Sequence, residues 1–150
     1  GNNRFQQGET RMPYPEEMVA PMRAELVAMG VQELRTAEQV DEFFAAPKGT
    51  SLVLINSVCG CAAGSARPAV RQALGLATRP DQAVTVFAGQ DLEATARARE
   101  LIGDVPPSSP SLALMKDGEL VHFVPRHMIE GREAEDIAAG LAEAFSSHCG

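Results

Sequence analysis

Four apolar residues in unbroken succession, Leu52, Val53, Leu54 and Ile55, leave residues 51–58 without a polar face. Successive side chains on a strand point to opposite sides, so a strand of this composition has to be covered above and below. Residues 83–88 form a second buried run. Two such strands call for a layered α/β architecture, with helices packed on both faces of one sheet.

The rest of the chain supplies those helices. Met18, Val19, Met22, Leu26 and Met29 recur at helical spacing over residues 15–29, and Gly30 is placed to end that segment. Residues 31–34 fit a short edge strand. Thr36 and Gln39 make a capping-box pattern that opens a helix running to about Ala46, where Pro47 and Gly49 stop it. Residues 60–77, rich in Ala, Leu, Arg and Gln, read as a helix that begins directly after the first buried strand. Asp91 opens a further helix to about Ile102, and residues 103–110 form a Pro/Ser loop. Residues 111–115 and 119–124 are two strands joined by a tight turn at Lys116-Asp117-Gly118, and residues 132–147 close the chain as a helix. This order implies right-handed βαβ crossovers followed by an antiparallel pair, in a mixed sheet.

A chain of 150 residues with 45% hydrophobic content is expected to form one domain, residues 13–150, around one core. Gly1 to Met12 is polar, does not begin with methionine and is expected to be an added or mobile tail. With no apolar leader or membrane span in this reading, a soluble cytoplasmic protein is expected. The formal charge of -7 opposes the counterion-release attraction on which nucleic-acid binding draws, so neither nucleic acid nor an anionic membrane is an expected partner.

Three cysteines, Cys59, Cys61 and Cys149, do not make the even, dispersed framework of a secreted disulfide scaffold. Cys59 and Cys61 stand where a strand hands over to a helix N-terminus. Unsatisfied N–H groups and the helix dipole at such a junction favour thiolate over thiol. Residues two apart in helical geometry have Cα atoms roughly 5.4 Å apart, inside the disulfide window. The bridge would close a smaller ring than a C-x-x-C bridge, with Gly60 giving the backbone freedom it needs, and should be easier to reduce. Cys59, on the strand side, is assigned the exposed nucleophile and Cys61, in the first turn, the resolving thiol. Two other readings remain: the pair as small buried hydrophobes, or as half of a zinc site completed by Cys149, His148 or His127. A lone C-x-C lacks the second ligand pair that the metal reading needs, and no metal is expected.

The stretch Asn56-Ser57-Val58-Cys59-Gly60-Cys61-Ala62-Ala63-Gly64, followed by Ala66-Arg67-Pro68-Ala69, resembles the bacilliredoxin family. The likeness extends through Thr85-Val86-Phe87-Ala88-Gly89-Gln90-Asp91, Pro107-Ser108-Ser109-Pro110-Ser111 and His122-Phe123-Val124-Pro125-Arg126-His127, and back to Pro21-Met22-Arg23. It implies a thioredoxin-like three-layer α/β/α sandwich with a mixed sheet and an extra N-terminal helix. It also implies a thiol–disulfide oxidoreductase with a C-G-C active site and no bound cofactor. Such an enzyme removes bacillithiol, a low-molecular-weight thiol co-substrate, from mixed disulfides on proteins. Disulfide isomerase activity on disulfide-bonded proteins is the further activity that the resemblance suggests.

Placed in that fold, Ser109-Pro110 is expected to be a cis peptide facing the cysteines, with Ser109 offering backbone hydrogen bonds to a bound chain. Pro68 is expected to kink the helix after the motif. Arg67 is read as an exposed helical cation of the kind usually just solvated, with attraction of an anionic small thiol as the other reading. His127 is read as a surface or capping residue rather than a proton carrier, and His122 as a polar-face strand position. Cys149 is read as an exposed thiol rather than a third redox partner.

Overall fold

The computed structural model describes residues 13–45 and 49–150. The tail at residues 1–12 and the helix stop at Ala46 and Pro47 lie outside the described residues. In chain order the elements are α1 (Glu16–Ala28), β1 (Gln32–Glu33), α2 (Ala37–Phe44), β2 (Thr50–Asn56), α3 (Arg67–Leu74), β3 (Gln82–Phe87), α4 (Leu92–Ile102), β4 (Ser111–Lys116), β5 (Glu119–Val124) and α5 (Ala134–His148). A π-helical turn, Ala62–Ala66, leads into α3, and a 3-10 turn, Arg126–Met128, follows β5.

One five-stranded sheet runs β1-β3-β2-β4-β5, so β2 lies at its centre. It pairs in parallel with β3 and antiparallel with β4, and β3 pairs in parallel with the short β1. Alternation along β2 divides the core. Leu52 and Leu54 face α1, α3 and α5, where they pack with Leu26, Val70, Leu141 and Phe145. Val53 and Ile55 face α2 and α4, with Val40, Ala94 and Ala98. The result is the expected three-layer α/β/α sandwich with a mixed sheet, the N-terminal helix α1 joining one outer layer.

Local chemistry sets the boundaries. Thr36 Oγ1 accepts from the Gln39 N–H at 3.1 Å and so caps α2, while Gln39 Oε1 accepts from the Arg35 N–H at 2.7 Å. Gly30, with φ of 93°, ends α1 in a conformation that glycine adopts at little cost. The β4–β5 turn is the pair Asp117-Gly118, both with positive φ, which matches the twist of a two-residue hairpin. Lys116 is therefore the last residue of β4, paired with Glu119, rather than a turn residue.

Two expectations need correction. The helix after the cysteines is not one α-helix over residues 60–77: it passes through the π-helical turn and α3 ends at Leu74. Pro68 has no N–H to give, and in an unbroken α-helix its ring would meet the Gly64 carbonyl. The change of register falls just before it, so Pro68 occupies the first turn of α3, where proline is tolerated. His122 is not on a polar face. Leu114 pairs with His122 but Met115 pairs with Leu120, so an extra residue bulges out of β5 and strict alternation fails there. His122 is half-buried, and burial, with the neighbouring His148 adding to it, pushes its imidazole below the ordinary value.

The central place of β2 makes its side chains the hardest to lose. Leu54, 1% exposed, is expected to cost about 3 kcal/mol on truncation to Ala, as buried leucines do when the cavity cannot fully collapse. Urea unfolding of Leu54→Ala should show a lowered midpoint with an unchanged slope.

Candidate active site

β2 ends at Asn56, and three residues later Cys59 takes the N-cap position of the following helix. The Cys59 carbonyl accepts from Ala62 N–H at 2.9 Å and Ala63 N–H at 3.3 Å. Its Sγ accepts from Cys61 N–H at 3.3 Å, the bond that a Ser or Asp side chain makes at an ordinary N-cap. Ser57 Oγ in turn accepts from the Cys59 N–H at 3.2 Å. The helix end is thus completed by a sulfur atom, and negative charge on that sulfur is favoured by the exposed N–H groups.

Arg126 supplies the second stabilising element. β5 runs antiparallel to β4, which runs antiparallel to β2, so the chain leaves β5 at the end of the sheet where Cys59 stands. Arg126 Nη2 lies 3.2 Å from Cys59 Sγ and 3.2 Å from Glu130 Oε2, and Nη1 donates to the Ser109 carbonyl at 3.1 Å. Its own N–H donates to Ser108 Oγ at 3.2 Å. Residue type and spacing assign Arg126 no role in the sequence. The signal was present in the order of elements, since an antiparallel hairpin after β2 returns its last residue to the same end of the sheet.

The two thiols are driven apart. A hydrogen bond from the Cys61 thiol holds Cys59 below the ordinary thiol value, helped by the backbone N–H groups of Cys61 and Ala62 and by the charge of Arg126. Burial pushes the Cys61 thiol up, and the hydrogen bond to Cys59 and the charge on Cys59 push it further. The proton of the pair rests on Cys61 and the charge on Cys59. Both cysteines are free thiols and half-buried, with Cys61 packed against the core.

The other expected residues fall into place differently. Ser109-Pro110 is a cis peptide, as the fold reading expected, and Pro110 is buried. Ser109 lines the cavity of about 380 Å³ in which Cys59 also stands. Gly60 is exposed at the start of the helix, with nothing within 4 Å of an added Cβ. Arg67 is not an exposed cation: it is 3% exposed, with Nε on Glu25 Oε1 at 2.7 Å and Nη1 on Asn56 Oδ1 at 2.9 Å and the Ser57 carbonyl at 3.1 Å. The helix face that carries it is covered by α1, so its donors are directed to the chain around the motif. Arg67 locks the β2-to-helix junction to α1.

His127 is exposed, lining a second groove with Pro106, Pro107 and Phe123. Cys149 is half-buried against the core and lies by Thr50, at the start of β2, whereas Cys59 follows its end. Burial pushes the Cys149 thiol up. It is therefore neither fully exposed nor within reach of the motif, and the same separation keeps it from completing a metal site with Cys59 and Cys61. Among the described residues no group of three or more His, Cys, Asp or Glu side chains is arranged to hold a metal ion.

Comparisons with known proteins agree with this geometry. A family model described as disulphide isomerase matches residues 14–149. A bacilliredoxin of Salinibacter ruber is 57% identical over 141 residues, covering 93% of this chain and 83% of that protein. A bacilliredoxin of Bacillus cereus is 55% identical over 137 residues, covering 91% of this chain and 95% of that one. Among solved structures, a mutant thioredoxin from Halobacterium salinarum superimposes with a TM-score of 0.55 at 21% identity, covering 81% of this chain and 93% of that one. The thioredoxin of Fasciola hepatica gives 0.53 at 20% identity, covering 79% and 99%. These two likenesses establish the thioredoxin fold.

Two measurements follow from the site. Alkylation of Cys59 against pH should shift to higher pH in Arg126→Gln and, because the thiol hydrogen bond is the larger cause, further still in Cys61→Ala; a profile unmoved in both would refute this account of the charge. Arg67→Met should lower stability by about 2 kcal/mol, since it strips the buried Asn56 and Ser57 acceptors of a charged donor, as seen in chemical unfolding.

Proposed function

The chain belongs to the bacilliredoxin family, and from that premise we propose that it is a thiol–disulfide oxidoreductase that removes bacillithiol from mixed disulfides on proteins, with Cys59 as nucleophile and Cys61 as resolving thiol. The observation that carries the reading is the setting of Cys59 Sγ, which meets Arg126 Nη2 at 3.2 Å and the Cys61 N–H at 3.3 Å. A sulfur so placed is a thiolate at lower pH than its neighbour, and the thiolate is the attacking species.

In the first step the Cys59 thiolate attacks the bacillithiol sulfur of the mixed disulfide. A new disulfide joins Cys59 to bacillithiol, and the protein cysteine leaves as a thiolate that takes a proton from water. Arg126 then faces a neutral sulfur, and the Cys61 proton no longer has a thiolate to hold it. In the second step Cys61 loses that proton and attacks Cys59 Sγ, forming the Cys59–Cys61 disulfide, while bacillithiol leaves with the electron pair and is protonated. Two further thiols or one dithiol, themselves oxidised to a disulfide, supply the two electrons that restore the free pair. A second molecule of bacillithiol attacking the Cys59 adduct is the other exit, and it yields bacillithiol disulfide.

Ser109 supports delivery of the protein half. Its carbonyl is taken by Arg126, and its N–H is the backbone group that this reading assigns to a bound chain. Gly60, without a side chain, leaves the approach to Cys59 open. Arg67 supports the reading from behind, by fixing the strand end from which Cys59 projects. The reading belongs to a reducing cytoplasmic setting, in which both cysteines are free between turnovers. The family description, disulphide isomerase, favours a second activity in which Cys59 attacks a disulfide between two protein cysteines.

The test uses a carrier protein with one bacillithiolated cysteine. Cys59→Ser should release no bacillithiol above background. Cys61→Ala should carry out the first attack and accumulate an adduct on Cys59, seen as added mass, with turnover returning only when free bacillithiol is raised. Equal loss of the first release in both variants would refute the division of roles, and full activity in Cys59→Ser would overturn the assignment. A scrambled protein disulfide, supplied to the same variants, measures the isomerase activity separately.

A further inference from the structure

Arg99 is a half-buried cation that, among the described residues, pairs with no carboxylate. It rises from α4 and lines the same cavity of about 380 Å³ as Cys59, Ser109 and Arg126. Its Nη2 donates to the Ser108 carbonyl at 3.3 Å, and its buried Nε meets no acceptor. The contrast with other arginines is informative in a chain that carries a net charge of -7. Arg23 is held by Glu16, Glu33 and Asp91, Arg67 by Glu25, and Arg126 by Glu130 and Cys59. Burial also pulls the Arg99 guanidinium below its ordinary value, the cost of a charge withdrawn from water without compensation.

Among the described residues no acidic side chain lines this cavity. Arg99 and Arg126 bind the successive carbonyls of Ser108 and Ser109, so both guanidinium groups are fixed to one short loop. We propose that Arg99, together with Arg126, receives a carboxylate borne by the small-thiol half of the mixed disulfide, and that this pair sets the preference for anionic over neutral small thiols. The inference rests on the thiol-exchange reading above and adds the residue that selects the thiol. Charge balance explains when the site acts. Once Cys59 attacks, its own negative charge is lost to the new disulfide, and Arg126 loses that partner. The anionic group on the captured thiol then stands against both cations and holds the adduct for the second step. A guanidinium fork suits a planar carboxylate through paired hydrogen bonds.

The experiment compares two mixed disulfides on the same single cysteine of one carrier protein, one made with 3-mercaptopropionate and one with its neutral amide. Release of the carrier thiol by the full chain is measured in single turnover, and each rate is divided by that given by free dithiothreitol, which removes the intrinsic difference between the two disulfides. The wild-type ratio of acid to amide should be about tenfold, the order expected of one charge-assisted hydrogen-bonded pair. In Arg99→Gln the ratio should fall severalfold, toward the smaller value that Arg126 alone gives, and Arg99→Lys should lie between. Because both substrates meet the same preparation, any loss of folded protein divides out of the ratio. Raised salt should shrink the wild-type ratio by more than that of Arg99→Gln. A wild-type ratio of one, or an unchanged ratio in Arg99→Gln, would overturn the inference while leaving thiol exchange intact. Release from neither substrate would overturn the exchange reading and the inference with it.

Discussion

A strand covered on both faces has only its two ends through which to meet solvent, and β2 sets the plan of this molecule by that constraint. Its Leu52 and Leu54 require one helical layer and its Val53 and Ile55 require the other, so helices are arranged on both of its faces before any chemistry is considered. What the buried strand cannot carry along its length it delivers at its C-terminal end. There the backbone turns directly into a helix, and the residue at that turn inherits both the rigidity of the core and the unpaired N–H groups of a helix terminus. Cys59 is that residue.

Rigidity at this point is reinforced by charge. Arg67 is almost fully buried and ties the end of β2, through Asn56 and Ser57, to Glu25 of α1. Arg126 ties the loop before β4 to Cys59, through the Ser109 carbonyl and the sulfur. Between them the cysteine pair has little freedom to choose which sulfur bears the charge. Cys61 is packed against the core and would bear the desolvation of a thiolate, while Cys59 has a helix terminus and a cation in front of it. The asymmetry that thiol exchange requires is therefore a property of position.

Three arginines at one end of an acidic protein stand in three different settings, and residue type alone does not separate them. Arg67 is structural because α1 covers it. Arg126 acts on the sulfur because the β4–β5 hairpin returns it to the end of β2. Among the described residues Arg99, half-buried, meets no carboxylate, because the α4 face that bears it borders the cavity rather than an acidic neighbour. Each distinction comes from what lies across the packing surface, at a sequence separation of tens of residues.

Elements governed by local forces were legible in the residues. The unbroken apolar run of β2, the Thr36 cap, the presence of a tight turn between β4 and β5 and the position of Cys59-Gly60-Cys61 at a strand-to-helix junction all depend on neighbours within a few positions, where periodicity and capping chemistry act. The resemblance carried the thioredoxin architecture, and with it the expected Ser109-Pro110 geometry. The bulge in β5 and the π-helical turn before Pro68 were not legible, because each depends on how a strand or helix is accommodated by its partners. Burial of Arg67 was decided by tertiary structure alone, and the contact of Arg126 with Cys59 by the pairing of β4 with β2, at which the order of elements only hinted. A guanidinium has the same local pattern whether it meets water, a carboxylate or a thiolate, and only the folded arrangement of distant segments determines which of the three it finds.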